Sequence, residues 1–357
     1  MAYDTLARNR HREIPHQGVS QHAPIDAVEG TLADFLAAQI AGLDAVDPAL
    51  GGFGRTARDL VMAGGKRLRP TFAYWGWRAV SEPGAPVAPV LPALAALELM
   101  HTFALVHDDV MDDSATRRGR PTAHRIFAGR HRRAGSVGDP ERFGTSAAIL
   151  VGDLCLVWAD QLIARAPLPP ATLLAVRNYY DRMRIEAVAG QYLDVLGDTE
   201  PDAWSLERAL LVARHKTAGY TVQRPLQFGL ALAGPPDRAV EEAYARYGLA
   251  VGEAFQLRDD LLGAFGDPAV TGKPAGDDLR TGKPTALLML ARRLATPAQL
   301  TLDPARLIVE TGAPARIEAM ISERVAEGIA AVDQAPIGED ARAALIDLAV
   351  RATHRPA

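Results

Sequence analysis

The chain has 357 residues, 48% of them hydrophobic and 23% charged, ample for a large core. A net charge of −4 leaves no electrostatic footprint for nucleic acid, so any anionic ligand must be held by a local cluster of bases or by metal. The one cysteine, Cys155, excludes an internal disulfide and fits a reducing cytoplasm.

Residues 1–23 are polar, carry three histidines and lack periodicity, the composition of a disordered tail. No apolar stretch of signal-peptide type opens the chain. From Ile25 the pattern changes: Val28, Leu32, Phe35, Leu36, Ile40 and Leu43 recur at helical spacing until Pro48 and the Gly51-Gly52 pair break it. Helical patterns follow from Val90 to about Asp112, Ser146 to Ala164, Pro170 to Val195, Leu206 to Leu232, Arg238 to Phe265 and Lys283 to Leu294. Two more begin near Ala313 and Asp340. No sustained strand-like alternation occurs, and the Ala- and Leu-rich stretches suit close helix packing. Residues 24–357 therefore read as one all-α domain, a length that a helical bundle absorbs. The longest apolar region, about Val87 to Val106, is interrupted by Pro92, Glu98 and His101 and does not read as a transmembrane segment. Two loops are long, Arg117 to about Thr145 and Gly266 to Gly282; each follows shortly after a pair of aspartates.

The first acidic cluster is His107-Asp108-Asp109-Val110-Met111-Asp112-Asp113. Asp108 and Asp112 share one helix face, where like charges repel. They end the apolar segment LPALAALELMHTFALV, so the cluster closes a buried helix. The second, Asp259-Asp260, is delivered by the apolar run from Leu249 to Phe255. A helix C-terminus is the wrong end for anions, because the dipole is negative there. A single such pair is usually a solvated surface feature; two on apolar helices, each followed by bases, point to a shared cation. Oxygen-only ligands favour a hard ion, Mg²⁺ or Mn²⁺, and such sites normally hold phosphates.

The bases are present. Arg117 and Arg118 follow the first cluster, and Lys273 and Lys283 follow the second in glycine-rich loops. Gly64-Gly65-Lys66-Arg67-Leu68-Arg69-Pro70 joins two helices; its glycines let backbone approach an anion, while Lys66 and Arg69 supply charge. It is not a Walker loop. His215-Lys216-Thr217 adds another base and a hydroxyl within a helix.

In order along the chain stand GGKRLRP, ELMHTFALVHDDVMDDSATRRGRPT, GQYLD, KTAGY, FQLRDDLLGAFGD and GKPAGDD. With these six pieces, from about Leu60 to Thr285, the sequence resembles the all-trans isoprenyl diphosphate synthases, the farnesyl, geranylgeranyl and related enzymes. The resemblance implies the isoprenoid synthase fold: a single bundle of antiparallel helices around a central cavity, expected as a homodimer. It implies condensation of isopentenyl diphosphate with an allylic diphosphate. Asp108 and Asp112, helped by Asp109, would bind Mg²⁺ on one side of the allylic diphosphate, and Asp259 with Asp260 on the other. Arg117, Lys216 and Lys273 would contact that diphosphate. Lys66, Arg69, His101 and Arg118 would hold isopentenyl diphosphate. Thr217, Gln191 and Gln256 would line the reacting centre, and Asp194 would bind metal-bound water.

The family's second motif usually reads DDxxD, whereas the last position here is Gly263. The basic run Arg130-His131-Arg132-Arg133 has no role in the resemblance and reads as a solvated loop. The growing tail is expected to run between apolar helices, past side chains one to two turns before Asp108: Phe103, Ala104 and Met100. In the family, a first motif without insertion and an aromatic at the Phe103 position mark the geranylgeranyl type, with a farnesyl product as the alternative. More distant alternatives are a class I terpene cyclase and a non-catalytic subunit of a heteromeric prenyl synthase. GGKRLRP and Asp259-Asp260 argue against the cyclase, and Gly263 is the one hint of the subunit.

Overall fold

The computed structural model of the chain describes residues 23–200, 203–266 and 282–353. The expected tail lies outside these residues except for Ala23, where the first helix begins. Helix α1 (Ala23–Val46) buries Val28, Leu32, Leu36 and Ile40 as one stripe. The helical run breaks before Pro48 as expected, but Gly51-Gly52 do not break it. The Asp47 carboxylate accepts the Ala49 N–H at 2.7 Å, and Pro48 opens a second helix, α2 (Pro48–Val61). A proline in the first turn costs nothing, since its N–H would have no partner there. Both glycines therefore sit inside α2.

Helices α3 (Leu68–Arg78) and α4 (Leu91–Met111) follow. The first expected long loop is largely structured. Thr116–Arg117 (β1) pairs antiparallel with Arg120–Pro121 (β2) in a two-residue hairpin. Then come α5 (Ala123–Arg133) and α6 (Pro140–Ala164). Helix α6 starts six residues before Ser146 because the Asp139 side chain caps it. The basic run from Arg130 to Arg133 is not a solvated loop but the last turn of α5, the helix end that favours cations. His131 is buried there, and Arg130 donates to Thr56 and lies 5.5 Å from the Phe127 ring centroid.

Helix α7 spans Pro170–Thr199. The stretch expected as one helix from Leu206 is α8 (Leu206–Val212), a π-helical segment (Ala213–Gln223) and α9 (Arg224–Leu232). Helix α10 (Arg238–Phe265) has the bounds expected, its N-terminus capped by Asp237. Helices α11 (Ala286–Leu294), α12 (Pro304–Glu310), α13 (Ala313–Asp333) and α14 (Glu339–Thr353) complete the order. Residues 267–281, and with them Lys273, lie outside the described part.

The fold is all-α. One apolar cluster gathers α10, α11, α13 and α14 around Tyr247, Leu257, Ile321 and Leu345. A second gathers α1, α4, α6 and α7 around Leu36, Leu97, Cys155 and Tyr180. Leu94, Leu97 and Leu99 are wholly buried, and each such side chain stabilises the fold by about 1.5–3 kcal/mol. That burial holds α4 in place despite the acidic cluster at its end. By length and composition α4 and α6 could each cross a bilayer, but both pack against other helices of this chain.

Candidate active site

A cavity of about 1280 Å³ draws its walls from both clusters and receives both acidic pairs. Asp108 sits in the last turn of α4 and Asp112 caps it, its N–H donating to the Asp108 carbonyl at 2.9 Å. The two side chains line the cavity. Asp109 turns away from them into the protein and accepts Arg117 Nε at 2.7 Å. Arg117 also reaches Asp108 at 3.2 Å. Lys216 lies 3.0 Å from Asp108 and 2.5 Å from Asp194; Lys283 lies 2.8 Å from Asp194.

Burial alone would raise the Asp108 carboxyl, but Lys216 and Arg117 reverse that and hold it at about 2. Burial likewise opposes the ammonium groups of Lys216 and Lys283, yet the facing carboxylates raise both. Asp112 behaves oppositely. Burial and the Asp108 carboxylate push it above the usual carboxylate range. Among the described residues it has no hydrogen bond or ion pair through its side chain. Lys283 and Lys216 act on it only from a distance and offset that push in part.

Asp259 and Asp260 line the same cavity from α10, more than one turn before its C-terminus rather than at it. Asp260 accepts Gln256 Nε2 at 2.8 Å and the Ala286 N–H at 3.1 Å, which ties it to the start of α11. Among the described residues no three His, Cys, Asp or Glu side chains are drawn together tightly enough to enclose a metal. The acids instead stand on separate helices around open space, as suits ions that also take oxygens from a ligand. Oxygen-only donors and an Asp112 carboxylate with no direct pair among the described residues fit a hard divalent cation.

A second basic group faces the same space. The Gly64-to-Pro70 loop passes through left-handed backbone at Gly64, Gly65 and Arg67, with φ of 83°, 144° and 47°. A Cβ at Gly65 would lie 2.7 Å from the Arg118 guanidinium, and Arg118 donates to the Gly64 carbonyl. Lys66, Arg69 and Arg118 line the cavity. Arg67 borders the cavity too, but its guanidinium is committed to the protein. It is buried, 2.5 Å from Glu98 and 3.0 Å from Glu29, and so anchors the loop to α4 and α1. Arg69 stacks 3.9 Å from the centroid of the Tyr220 ring and donates to Thr221 at 2.9 Å. His101 Nδ1 shares a 2.7 Å hydrogen bond with the Tyr220 hydroxyl. Burial and the arginines around it drive the His101 pKa well below its usual value, so the imidazole is neutral.

Lys216, Thr217, Tyr220 and Thr221 reach the cavity from the π-helical segment. Such wide turns recur at functional sites. A Cβ at Gly190 on α7 would lie 2.3 Å from the Lys216 backbone nitrogen. The glycine of GQYLD thus lets α7 carry Gln191 and Asp194 up against Lys216. Gln191 lines the cavity and donates to the Met111 sulfur at 3.6 Å.

Three expectations need correction or completion. Asp194, expected at metal-bound water, is paired with Lys216 and Lys283. Met100, expected along the tail's path, is wholly buried in the core and does not line the cavity, whereas Phe103 and Ala104 do. Tyr220 and the Arg67–Glu98 pair went unassigned. Tyr220 closes KTAGY four residues beyond Lys216, and that spacing is the signal that places it on the same side.

The family model described as "Polyprenyl synthetase" matches residues 53–323. Geranylfarnesyl diphosphate synthase of Aeropyrum pernix is 34% identical over 237 residues, 65% of this chain and 68% of that protein. The (2E,6E)-farnesyl diphosphate synthase of Mycobacterium tuberculosis is 35% identical over 62% of this chain and 55% of its own length. The structure of geranylgeranyl pyrophosphate synthase from Corynebacterium glutamicum, complexed with isoprenyl diphosphate and magnesium, aligns with a TM-score of 0.89 at 39% identity. That alignment covers 95% of this chain and 100% of the other. The chain belongs to the polyprenyl synthetase family.

Proposed function

We propose that the chain is a short-chain trans-prenyl diphosphate synthase. It condenses isopentenyl diphosphate with allylic diphosphates, and geranylgeranyl diphosphate is its main product. The observation that carries this is one cavity lined by Asp108 and Asp112, by Asp259 and Asp260, and by a separate basic group of Lys66, Arg69 and Arg118. Two anionic substrates need two such places.

Asp108, Asp112, Asp259 and Asp260 would hold Mg²⁺, with Asp109 supporting through Arg117. When bound, the metal acts as a Lewis acid on the leaving diphosphate and supplies charge stabilisation without a protein proton donor. Arg117, Lys216 and Lys283 add fixed positive charge on the same side. Lys216 is free to exchange a carboxylate for a phosphate oxygen because both are anions within its reach. Gly263 removes one carboxylate of the usual second motif, and Asp260, tied to Gln256 and Ala286, keeps its direction without it. Lys66, Arg69 and Arg118 hold the second diphosphate beside neutral His101, which donates or accepts a hydrogen bond without adding charge. The allylic C–O bond breaks to give a carbocation and pyrophosphate. The C3–C4 double bond of isopentenyl diphosphate attacks that cation, and the proton lost from C2 passes to pyrophosphate. The carboxylates therefore serve as ligands, not as a general acid and base.

The enzyme works as a homodimer. Leu150 and Val157 on α6 and Ile185 on α7 are all more than half exposed and do not line the cavity, apolar surface that a second copy would cover. The decisive experiment incubates purified protein with isopentenyl diphosphate, Mg²⁺ and each of the C5, C10 and C15 primers. Accumulation of the C20 diphosphate is expected. Hydrocarbon released without isopentenyl diphosphate would make it a cyclase. Condensation seen only after a partner chain is added would make it a subunit.

A further inference from the structure

Phe103, His107 and Met111 follow at four-residue steps along α4 and form one stripe of the cavity wall. The rings of Phe103 and His107 meet edge to face, their centroids 4.8 Å apart and their planes at 65°. His107 is in turn held from α6. Its Nε2 lies 2.9 Å from the Ile149 carbonyl, so Nε2–H donates there, and 3.7 Å from the Asp153 carboxylate. Between those two residues stands Gly152. A Cβ at that position would lie 2.3 Å from both Cδ2 and Nε2 of the imidazole. The ring therefore occupies a gap in α6 that only glycine leaves open. Its polar edge is bonded into that gap, and its other side rests on Phe103.

A phenylalanine in a helix chooses between two staggered χ1 wells. A neighbour fixed one turn away decides which of them is open. Phe103 has such a neighbour, and that neighbour is anchored to a different helix by a hydrogen bond rather than by packing alone.

We infer that His107 and Gly152 set product length by bracing Phe103, the chain Gly152–His107–Phe103 deciding how far a prenyl tail passes along the cavity wall. The inference rests on the reading of the protein as a prenyl diphosphate synthase. Neither residue touches the reacting atoms; both are positioning residues. Removing the imidazole frees Phe103 to swing aside and lengthens the product. Adding a methyl group at Gly152 drives the imidazole off α6 toward Phe103, narrows the path and shortens the product. Packing damage alone does not produce shifts of opposite sign.

The test compares wild type with His107→Ala, Gly152→Ala, Phe103→Ala and the His107→Ala/Phe103→Ala double variant. Each receives isopentenyl diphosphate, Mg²⁺ and the C5 primer. Products are dephosphorylated and resolved by chain length, and thermal melts are recorded in parallel. His107→Ala is expected to move the main product from C20 to C25 or longer. Gly152→Ala is expected to raise the C15 share at least threefold. The double variant is expected to match Phe103→Ala alone, because a brace has no effect once the side chain it braces is gone. A His107→Ala product profile identical to wild type with a lowered melting temperature would reduce His107 to a packing role and overturn the inference. Further lengthening in the double variant would overturn it too, by showing that His107 acts independently of Phe103. A wild type that elongates no primer would instead refute the assignment as a synthase, a different result from either.

Discussion

The ammonium of Lys216 lies 3.0 Å from the carboxylate of Asp108, although the two are 108 residues apart in the chain. The contact joins the end of α4 to the π-helical segment, and a second one, at 2.5 Å to Asp194, brings in α7. Two carboxylates one turn apart at a negative helix end are unfavourable in isolation. The protein pairs one of them directly with its own cation, whereas the other, Asp112, has no direct side-chain pair among the described residues. The cavity is thus charged in the sense of a diphosphate–metal complex: acids for the ions and bases for the phosphate.

Asp108→Asn and Asp259→Asn should each lower turnover about 10²–10³-fold, the range seen when one group stabilising developing charge is removed. Radiolabelled isopentenyl diphosphate incorporation at saturating substrate measures it. Asp113→Asn is the control. Asp113 is exposed and paired with Arg125 rather than turned into the cavity, so its variant should stay within about twofold of wild type. Equal losses at Asp108 and Asp113 would dissolve the distinction between lining and surface acids.

Chelation of divalent metal should abolish condensation, and restoring Mg²⁺ should return it. A structural signature should accompany this. Mg²⁺ with a non-reacting allylic diphosphate analogue should raise the melting temperature, with about 2.7 kcal/mol of stabilisation at a hundredfold excess over Kd. Asp112→Ala should shrink that increase, because it removes a cavity-lining acid that has no direct side-chain pair among the described residues. Calorimetry of the protein with and without metal reads both effects.

The acidic pairs were legible from sequence because two facts coincided there: carboxylates at helical spacing and an apolar run that could only be core. The partners of those acids were not. Lys216 reaches Asp108 through a π-helical turn, and no periodicity in Ala213–Gln223 announces a turn wider than that of an α-helix. The role of Arg67 was hidden for a related reason. In GGKRLRP it looks equivalent to Lys66 and Arg69, and only a left-handed φ of 47° turns it inward. Helix α5 was hidden by its own charge, since basic residues fill its last turn and mask the buried positions of His124, Phe127 and Ala128. Helix α12, seven residues long, is too short to show a repeat.

The buried Arg67–Glu98 pair gives a prediction that separates stability from binding. Both side chains are about 95% buried, and one Glu98 oxygen has no hydrogen bond. Arg67→Ala would strand the Glu98 charge in the interior and should cost ~3–5 kcal/mol in denaturant unfolding. Arg67→Met combined with Glu98→Leu removes both charges and should recover most of that loss. It should still raise the KM for isopentenyl diphosphate about tenfold, or about 1.4 kcal/mol, while leaving the KM for the allylic substrate near wild type. The loop that carries Lys66 and Arg69 would have lost its tether, whereas the Asp108 side would keep its own. An equal rise in both KM values would mean that the pair supports the fold in general.

Met100 and Phe103 stand one helical turn apart on α4 and should respond in opposite ways. Met100 is fully buried away from the cavity, so Met100→Ala should cost about 2–5 kcal/mol and leave product length unchanged. Phe103 is only partly buried and lines the cavity, so Phe103→Ala should cost less and lengthen the product. Product chromatography beside a urea titration tests the pair. A longer product from Met100→Ala would mean that the tail's path extends through the core behind α4.

The exposed face of α6 and α7 yields the last prediction. Val157 is 60% exposed on α6 and Ile185 69% exposed on α7. Neither lines the cavity, so a charge there cannot act on substrate directly. In a homodimer each such residue appears twice across a two-fold axis, so one substitution introduces two charges into the same interface. Burying unpaired carboxylates is costly enough to favour separation. Val157→Asp with Ile185→Asp should therefore convert a two-chain species into a one-chain species by light scattering, while the circular dichroism spectrum stays helical. The cavity-facing stripe of α4 packs directly on α6, so the separated chain should also lose selectivity for product length before it loses the ability to condense. A wild type that is already a single chain in solution would leave this apolar face without the partner proposed for it.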